Sequence, residues 1–186
     1  MKLQILIPTL KSREETFKPN YANIRKQIQM LALENEISII IAGDNGENSI
    51  GHKRNKLLQA AVADYVCFLD DDDPIMTNYI PTIWEGIKQN KDCVELKGIM
   101  TTNGKWPTPF NHSIKYDSYF DAGGVYYRPP NHLNPIRREL ILPFEFPNIS
   151  LGEDTDWALR VAKAKVIKTE ASVNQPYYYY QWITQK

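Results

Sequence analysis

The stretch that decides the fold runs from Tyr65 to Pro74 and reads YVCFLDDDDP. Its apolar part, Val66–Leu69, is short and bulky, which predicts a strand buried on both faces. Four consecutive carboxylates follow at the C-terminal end of that strand, where open α/β sheets bind ligands. Because adjacent like charges repel, we expect a positive partner, and Mg²⁺ or Mn²⁺ prefers hard oxygen ligands. In an extended segment, Asp70 and Asp72 lie on the same face.

The same acids have a simpler interpretation as a helix cap. Asp is a good N-cap, acids favour the first helical turn, and Asp73-Pro74 precedes the helical pattern of Ile75–Lys88. A cap needs one acid, however, and the stretch supplies four. An EF-hand calcium loop is disfavoured because the glycine that such a loop needs at its sixth position is missing.

Composition indicates one soluble globular domain of 186 residues, large enough for a substantial core. The 22 basic and 22 acidic residues give zero net charge, so nucleic acid and anionic membrane are not expected as main partners. Cys67 and Cys93 lie in apolar stretches, which predicts free buried thiols and a reducing compartment. No signal peptide or transmembrane segment is recognised, so we expect a cytoplasmic protein.

Strand and helix patterns alternate over the first third of the chain. Strands are predicted at Leu3–Ile7, Ile37–Ala42 and Asp64–Leu69, the last two buried, with helices from Pro19 to about Glu34 and over Gly51–Ala63. This alternation implies a parallel sheet with right-handed crossovers. The three strand ends, at Pro8-Thr9, Gly43-Asp44-Asn45 and Asp70–Asp73, are therefore expected to face one crevice.

The pattern changes after a third helix at Asn78–Lys88 and a strand at Val94–Thr101. Frequent prolines and interleaved aromatic residues then favour short strands and loops. Glu153–Ala164 is predicted as a late helix. A last strand at Val166–Thr169 and an extended aromatic tail from Pro176 complete the prediction.

Four of these segments together resemble the family 2 inverting glycosyltransferases with the GT-A fold. GHKRN at Gly51–Asn55 and FLDDDD at Phe68–Asp73 are similar to that family's Arg-Asn helix and D-x-D strand. LIPTL at Leu6–Leu10 is similar to its opening strand, and GEDTDWALR at Gly152–Arg160 to its late Glu-Asp acceptor-site motif. The resemblance implies an α/β, Rossmann-like GT-A fold with a mixed central sheet and helices on both faces.

The resemblance also implies a domain organisation and an activity. A single domain, 1–186, would comprise a nucleotide-sugar-binding half (1–102) and an acceptor-binding half (103–186). It would move one sugar, with inversion, from a nucleotide-diphosphate sugar (UDP-sugar favoured) to a hydroxyl of a glycan, lipid-linked or protein acceptor. A divalent cation, Mn²⁺ or Mg²⁺, would neutralise the leaving diphosphate.

The residues of the resembling motifs receive the corresponding roles. The expected metal ligands are Asp72, Asp70 and His132. The expected nucleotide-sugar contacts are Pro8, Thr9, Asp44, Arg54, Asn55, Asp70 and Asp71. Asp154 would be the catalytic base, which contributes about 10²–10⁴ in rate. Glu153 would assist it as a second catalytic residue, and Trp157 would lie on the acceptor side.

Simpler roles remain open for most of these residues. Arg54 also suits the solvated surface of a helix, His132 suits a surface or structural position, and Asp44 suits an ordinary turn. Asp154 suits the first turn of its helix, and Trp157 suits the core. The chain also lacks the Gln-x-x-Arg-Trp motif of processive synthases, having only Gln181-Trp182.

Other classes of protein fit less well. Nucleotidyltransferases have a glycine-rich loop after the first strand, whereas Pro8–Arg13 contains no glycine. Receiver domains and haloacid-type phosphatases place acids after the first strand, which here ends in Pro-Thr. The alternative that stays open is a non-catalytic module of GT-A-like fold that binds a nucleotide sugar or a glycan.

Overall fold

The structure is a computed structural model that describes residues 1–184; the last two residues of the predicted domain lie outside the described residues. The strands are β1 (Leu3–Leu10), β2 (Ile37–Asp44), β3 (Tyr65–Phe68), β4 (Cys93–Val94), β5 (Leu96–Thr102), β6 (Lys105–His112), β7 (Phe120–Ala122), β8 (Val125–Arg128), β9 (Ile136–Arg137), β10 (Glu170–Ala171) and β11 (Tyr178–Trp182). The helices are α1 (Glu14–Met30), α2 (Ile50–Ala60), α3 (Tyr79–Lys88), α4 (Arg138–Ile141) and α5 (Glu153–Ala164).

The larger sheet has six strands in the order β10-β4-β9-β3-β1-β2. β1 pairs parallel with both β2 and β3, and β10 pairs parallel with β4. β9 runs antiparallel to its neighbours β3 and β4, so the sheet is mixed. The predicted parallel β-α-β-α-β start is confirmed, and it brings the ends of β1, β2 and β3 to one edge.

Alternation along β1 shows how the larger sheet is covered on both faces. Leu3, Ile5 and Ile7 belong to one buried cluster with apolar residues of α1 and α3. Leu6 belongs to a second cluster with residues of α2 and α5. Side chains of a strand point alternately to opposite faces, so the sheet lies between two helical layers, as the GT-A prediction requires.

The smaller sheet has five strands in the order β11-β5-β6-β8-β7. Gly98 lies in its middle, where a Cβ atom would be 2.2 Å from a ring carbon of Phe110 and 2.7 Å from the carbonyl oxygen of Tyr178. Only glycine lets these three strands pack so closely. The predicted extended tail forms β11, an edge strand that pairs parallel with β5.

Several predicted boundaries are wrong for identifiable reasons. The first helix begins at Glu14 and not at Pro19. Acidic residues in the first turn and the burial of Phe17 and Ile24 stabilise this earlier start. Pro19 lies in the second turn of the helix. The predicted buried strand β2 is an edge strand, and Ile41 is 44 % exposed.

Two later predictions also differ from the structure. The predicted strand Val94–Thr101 divides at Glu95 into β4 and β5, which belong to different sheets. Glu95 is buried, and its carboxylate accepts hydrogen bonds from the main-chain N–H of Val173 and from the Asn111 amide. The predicted strand Val166–Thr169 is wrong; the strand is β10, which begins at Glu170, directly after the predicted strand ends.

Both cysteines are free and buried, as predicted. Burial raises the pKa of each thiol above its usual range. Within the part of the chain that the structure describes, no helix has the length and apolar character needed to cross a membrane.

Candidate active site

The acidic residues after β3 form a turn, in which the main-chain N–H of Asp73 donates to the carbonyl of Asp70 at 3.3 Å. Asp71 and Asp73 are buried and Asp72 is exposed, but the segment is a turn and not the extended segment in which Asp70 and Asp72 were expected to share one face. The helix-cap interpretation is wrong because α3 begins only at Tyr79, after Asn78. These acids are therefore available for another purpose.

The end of β1 holds one of these acids in place. The Thr9 hydroxyl donates to Oδ2 of Asp71 at 2.6 Å, and Nη1 of Arg13 donates to Oδ1 of Asp71 at 2.7 Å. Arg13 also donates to Oδ2 of Asp72 at 3.2 Å. Pro8 is buried beside Thr9. Arg13 was not predicted, because its partners lie 58 and 59 residues away.

The end of β2 is joined to the end of β1 by a lysine. Nζ of Lys53 donates to Oδ1 of Asp44 and to the carbonyl oxygen of Thr9, both at 2.9 Å. The lysine lowers the pKa of Asp44 well below its usual range. Asp44 also accepts hydrogen bonds from the main-chain N–H groups of Gly46 and Asn48, so it also stabilises the turn, as its simpler interpretation predicted. Lys53 was not predicted as a site residue, although its position next to Arg54 in the GHKRN motif could have indicated it.

Arg54 lies at the centre of the site and is 3 % exposed. Nη2 donates to Oδ1 of Asp70 at 2.8 Å, and Nη1 donates to Oε1 of Glu153. Nη2 also lies 3.0 Å from Nε2 of His132. Burial alone would raise the pKa of Asp70, but the Arg54 guanidinium holds it well below its usual range. The surface-helix interpretation of Arg54 is therefore wrong.

Asp154 lies in the first turn of α5, next to Glu153, and its side chain is 33 % exposed. It lines a cavity of about 260 Å³ together with Asp70 and His132. The rest of the wall is mostly aromatic and comes from the smaller sheet and its loops: Met100, Phe110, His112, Tyr119, Tyr126, Arg128, Asn131, Leu133 and Tyr180. The cavity thus joins the acids of the larger sheet to the aromatic face of the smaller one.

The fourth acid of the turn, Asp73, fixes β11 to the site. The Tyr178 hydroxyl donates to Oδ2 of Asp73 at 2.6 Å, and the main-chain N–H of Gln181 donates to Oδ1 at 3.2 Å. Burial and the nearby Asp70 raise the pKa of Asp73 well above its usual range. Between these two contacts lies Tyr180, which reaches the cavity.

Two predicted site residues have their side chains engaged elsewhere. Asn55 donates to the carbonyl of Phe146 at 2.9 Å and accepts from the N–H of the same residue at 2.8 Å. Trp157 is fully buried, stacks on Phe146 with ring centroids 4.7 Å apart, and donates to the carbonyl of Phe144. The prediction that Trp157 faces the acceptor is wrong, because its ring belongs to the core.

The acidic turn does not assemble the predicted three-residue metal site. Among residues 1–184, no three His, Cys, Asp or Glu side chains are grouped to hold a metal ion. Oδ1 of Asp70 and Nε2 of His132 both face Arg54 instead. Asp72, with 58 % of its side chain exposed, does fit a cation that takes one or two carboxylates and completes its shell with phosphate oxygens and water.

The chain is similar to known proteins in both sequence and structure. The model of the family described as Glycosyl transferase family 2 matches residues 18–166. Among proteins with curated functions, none matches the sequence.

Solved structures of TarS from S. aureus share the fold. TarS 1–349 in complex with UDP-GlcNAc is 16 % identical, with a TM-score of 0.70, and the alignment covers 100 % of this chain and 60 % of that chain. TarS 1–349 in complex with UDP is 18 % identical, with a TM-score of 0.68, and the alignment covers 97 % of this chain and 60 % of that chain. This chain thus spans about three-fifths of these structures, and the likeness confirms the predicted GT-A fold.

Proposed function

The chain belongs to glycosyl transferase family 2, and on that premise we propose that it transfers one sugar from a nucleotide-diphosphate sugar to an acceptor hydroxyl, with Asp154 as the general base. The observation that carries the proposal is the cavity in which Asp154 and Asp70 meet. One carboxylate stands on the diphosphate side of that cavity, and the other stands on the aromatic, acceptor side.

The ends of β1 and β2 suit an anionic donor. Lys53 and Arg13 place two cationic groups there, each already held by carboxylates and therefore preorganised. We propose a UDP-sugar as donor, since the TarS structures with this fold contain UDP-GlcNAc or UDP. The acceptor is a hydroxyl of a glycan, a lipid-linked sugar or a protein.

A divalent cation completes the donor side of this proposal. Asp72, with Asp70 near it, would hold Mn²⁺ or Mg²⁺ against the diphosphate oxygens. When bound, the cation neutralises charge that develops on the leaving diphosphate. We expect the cation's removal by a chelator to abolish transfer, and its return to restore it.

The chemical step needs a single displacement. Asp154 takes the proton of the acceptor hydroxyl as that oxygen bonds to the anomeric carbon. The bond between the anomeric carbon and the diphosphate oxygen breaks on the opposite face, and its electron pair leaves with the nucleotide diphosphate. One carboxylate in line with one bond cleavage inverts the configuration at that carbon.

The experiment that tests the proposal compares Asp154→Asn with Asp156→Asn. Both residues lie in the first turn of α5, but Asp156 is exposed and paired with Arg160. We expect Asp154→Asn to lower kcat by about 10²–10⁴ because the base is lost, while Asp156→Asn changes it little. Equal activity in the two variants would overturn the role of Asp154.

A thermal-shift panel of nucleotide diphosphates and their sugars, each with Mn²⁺, Mg²⁺ or chelator, identifies the donor. A ligand that binds only the folded state raises Tm by mass action. A metal-dependent rise with one nucleotide, together with sugar transfer or slow donor hydrolysis, supports the enzyme. Binding with neither transfer nor hydrolysis would favour the non-catalytic module.

A further inference from the structure

We propose that His132 is a positioning residue for Asp154: its Nδ1–H holds the base carboxylate, while its Nε2 accepts a hydrogen bond from Arg54. The inference rests on the proposed function, because it assigns Asp154 as the base. Nδ1 of His132 is buried and, within residues 1–184, has no hydrogen-bond partner. The carboxylate it approaches is that of Asp154, whose Oδ2 lies 3.8 Å away.

The neighbour on the other side of the ring determines which nitrogen carries the proton. Nη2 of Arg54 lies 3.0 Å from Nε2. A guanidinium only donates hydrogen bonds. The other neighbour of Nε2, Oδ2 of Asp70, is farther away at 3.5 Å, so Nε2 accepts from Arg54 and the proton of the neutral imidazole is on Nδ1. The tautomer that Arg54 imposes therefore directs a donor at Asp154. It also occupies the Nε2 lone pair that a metal ion would need.

The 3.8 Å separation exceeds the usual range of an N–H···O hydrogen bond, about 2.7–3.2 Å. Catalytic hydrogen bonds are often long in unliganded enzymes and shorten when substrate binds. A buried donor without a partner is unfavourable, so a small rotation of the partly exposed Asp154 side chain toward the ring satisfies Nδ1. The other carboxylate oxygen then faces the cavity and the acceptor hydroxyl.

Hydrogen bonds to β3 and within the loop hold the segment that carries His132. The main-chain N–H of Phe68, in β3, donates to the His132 carbonyl at 2.8 Å. Asn131 and Asn134 lie on either side of His132 in the sequence and stabilise the main chain of the loop. Oδ1 of Asn131 accepts from the N–H of Leu133, and Oδ1 of Asn134 accepts from the N–H of Asn131, both at 3.0 Å. Reacting groups need this kind of support to stay in productive geometry.

The arrangement links the two sides of the reaction through one cation. Arg54 binds Asp70 on the donor side, Glu153 beside the base, and His132, which faces the base. Glu153, predicted as a second catalytic residue, is 4 % exposed, so it acts here by holding Arg54. His132 is thereby the one member of the network that reaches both Arg54 and Asp154 directly.

Two variants of His132 separate its two contacts. The amide of Asn reaches approximately the position of Nδ1, and the amide of Gln that of Nε2. His132→Asn therefore keeps a donor toward Asp154, whereas His132→Gln keeps an acceptor for Arg54 and loses that donor. We expect kcat to fall about 10- to 100-fold in His132→Gln, the range for removing an orienting partner, with donor KM unchanged. His132→Asn should retain most of kcat.

Equal kcat in the two variants, or a loss that appears in donor KM instead of kcat, would overturn the inference. A second measurement does not depend on the variants folding: ¹⁵N-resolved NMR of the histidine rings in the wild-type protein should show His132 as the neutral Nδ1–H tautomer. The Nε2–H tautomer would also overturn the inference. Failure of the proposed function is distinct, since the wild-type protein would then transfer no sugar from any donor.

Discussion

At the edge of the larger sheet, buried or partly buried carboxylates face cations: Lys53 contacts Asp44, and Arg54 contacts both Asp70 and Glu153. The smaller sheet has the ion pairs Lys97–Glu95 and Arg128–Asp121, but other polar groups in it pair with neutral partners. The Tyr179 hydroxyl donates to Oγ1 of Thr101, and a ring nitrogen of His112 pairs with Asn131.

Under the proposed function, the contrast gives each side of the cavity its own substrate. The edge of the larger sheet carries Arg13, Lys53 and Arg54, already fixed by carboxylates, which would orient a diphosphate without rearrangement. The wall from the smaller sheet, which carries aromatic rings and Arg128, would offer surface to the face of a sugar ring, with Asp154 acting on an uncharged hydroxyl. Three changes test whether the two sheets differ in this way.

The largest effect is expected from Arg54→Met. It leaves Glu153 and Asp70 without their cation, and breaking a buried pair costs about 3–5 kcal/mol of unfolding free energy. The matched change in the smaller sheet is Arg128→Met, which removes a pair with Asp121, a residue whose side chain is 60 % exposed. We expect a cost of about 1 kcal/mol there. Urea unfolding measures both, and equal costs would contradict the contrast.

A smaller effect is expected from Gly98→Ala in the middle of the smaller sheet. The new methyl group would overlap the ring of Phe110 and the main chain of β11, and overpacking of this kind costs about 1–3 kcal/mol. Gly43→Ala, at the end of β2, is the control, because its Cβ would meet only a methyl group of Thr9 at 3.1 Å. If both glycines tolerate alanine equally, the smaller sheet is less tightly packed than its geometry indicates.

The smallest effect per unit of change is the contribution of His112, in the smaller sheet, to the pH dependence of stability. Burial lowers the pKa of His112 from 6.5 to about 3. Between these values the unfolded chain binds a proton that the folded protein does not. Stability therefore falls as pH falls through this window, by up to about 1.4 kcal/mol per pH unit. The lowered pKa of Asp44 acts only below about pH 4.

Replacing His112 isolates that contribution. Wild type minus His112→Gln, measured by urea unfolding between about pH 4.5 and 6.5, should give a difference whose slope is positive with increasing pH. A flat difference would mean that folding leaves the pKa of His112 unchanged and would contradict the prediction. The raised pKa of Asp73 makes stability change with pH in the opposite direction. Because Asp73 is present in both proteins, its contribution cancels in the difference.

What the sequence predicted well was local. The apolar run of β3 stops at the acidic turn, and Gly152 marks the start of α5, so both elements were recognised from adjacent residues. The meeting of three strand ends followed from the alternation of strands and helices, because parallel strands share an edge. The family resemblance rested on the same local motifs and is confirmed.

What could not be predicted depends on partners distant in sequence. Arg13 reaches Asp71 across 58 residues, and Tyr178 reaches Asp73 across 105. Trp157 was predicted on the acceptor side because a sequence motif gives the position of a residue along the chain but not the direction in which its side chain points. The division of the fourth predicted strand at Glu95 likewise depends on contacts with Asn111 and Val173.

The last two strands have a consequence for how the protein is made. β10 forms one edge of the larger sheet, and β11 forms one edge of the smaller sheet. Their parallel partners, β4 and β5, are synthesised long before them. A nascent chain in which β10 and β11 have not yet paired therefore has these two edges open, and open edges pair readily with strands of other molecules. The docking of β10 and β11 thus lowers the tendency of the chain to aggregate during synthesis.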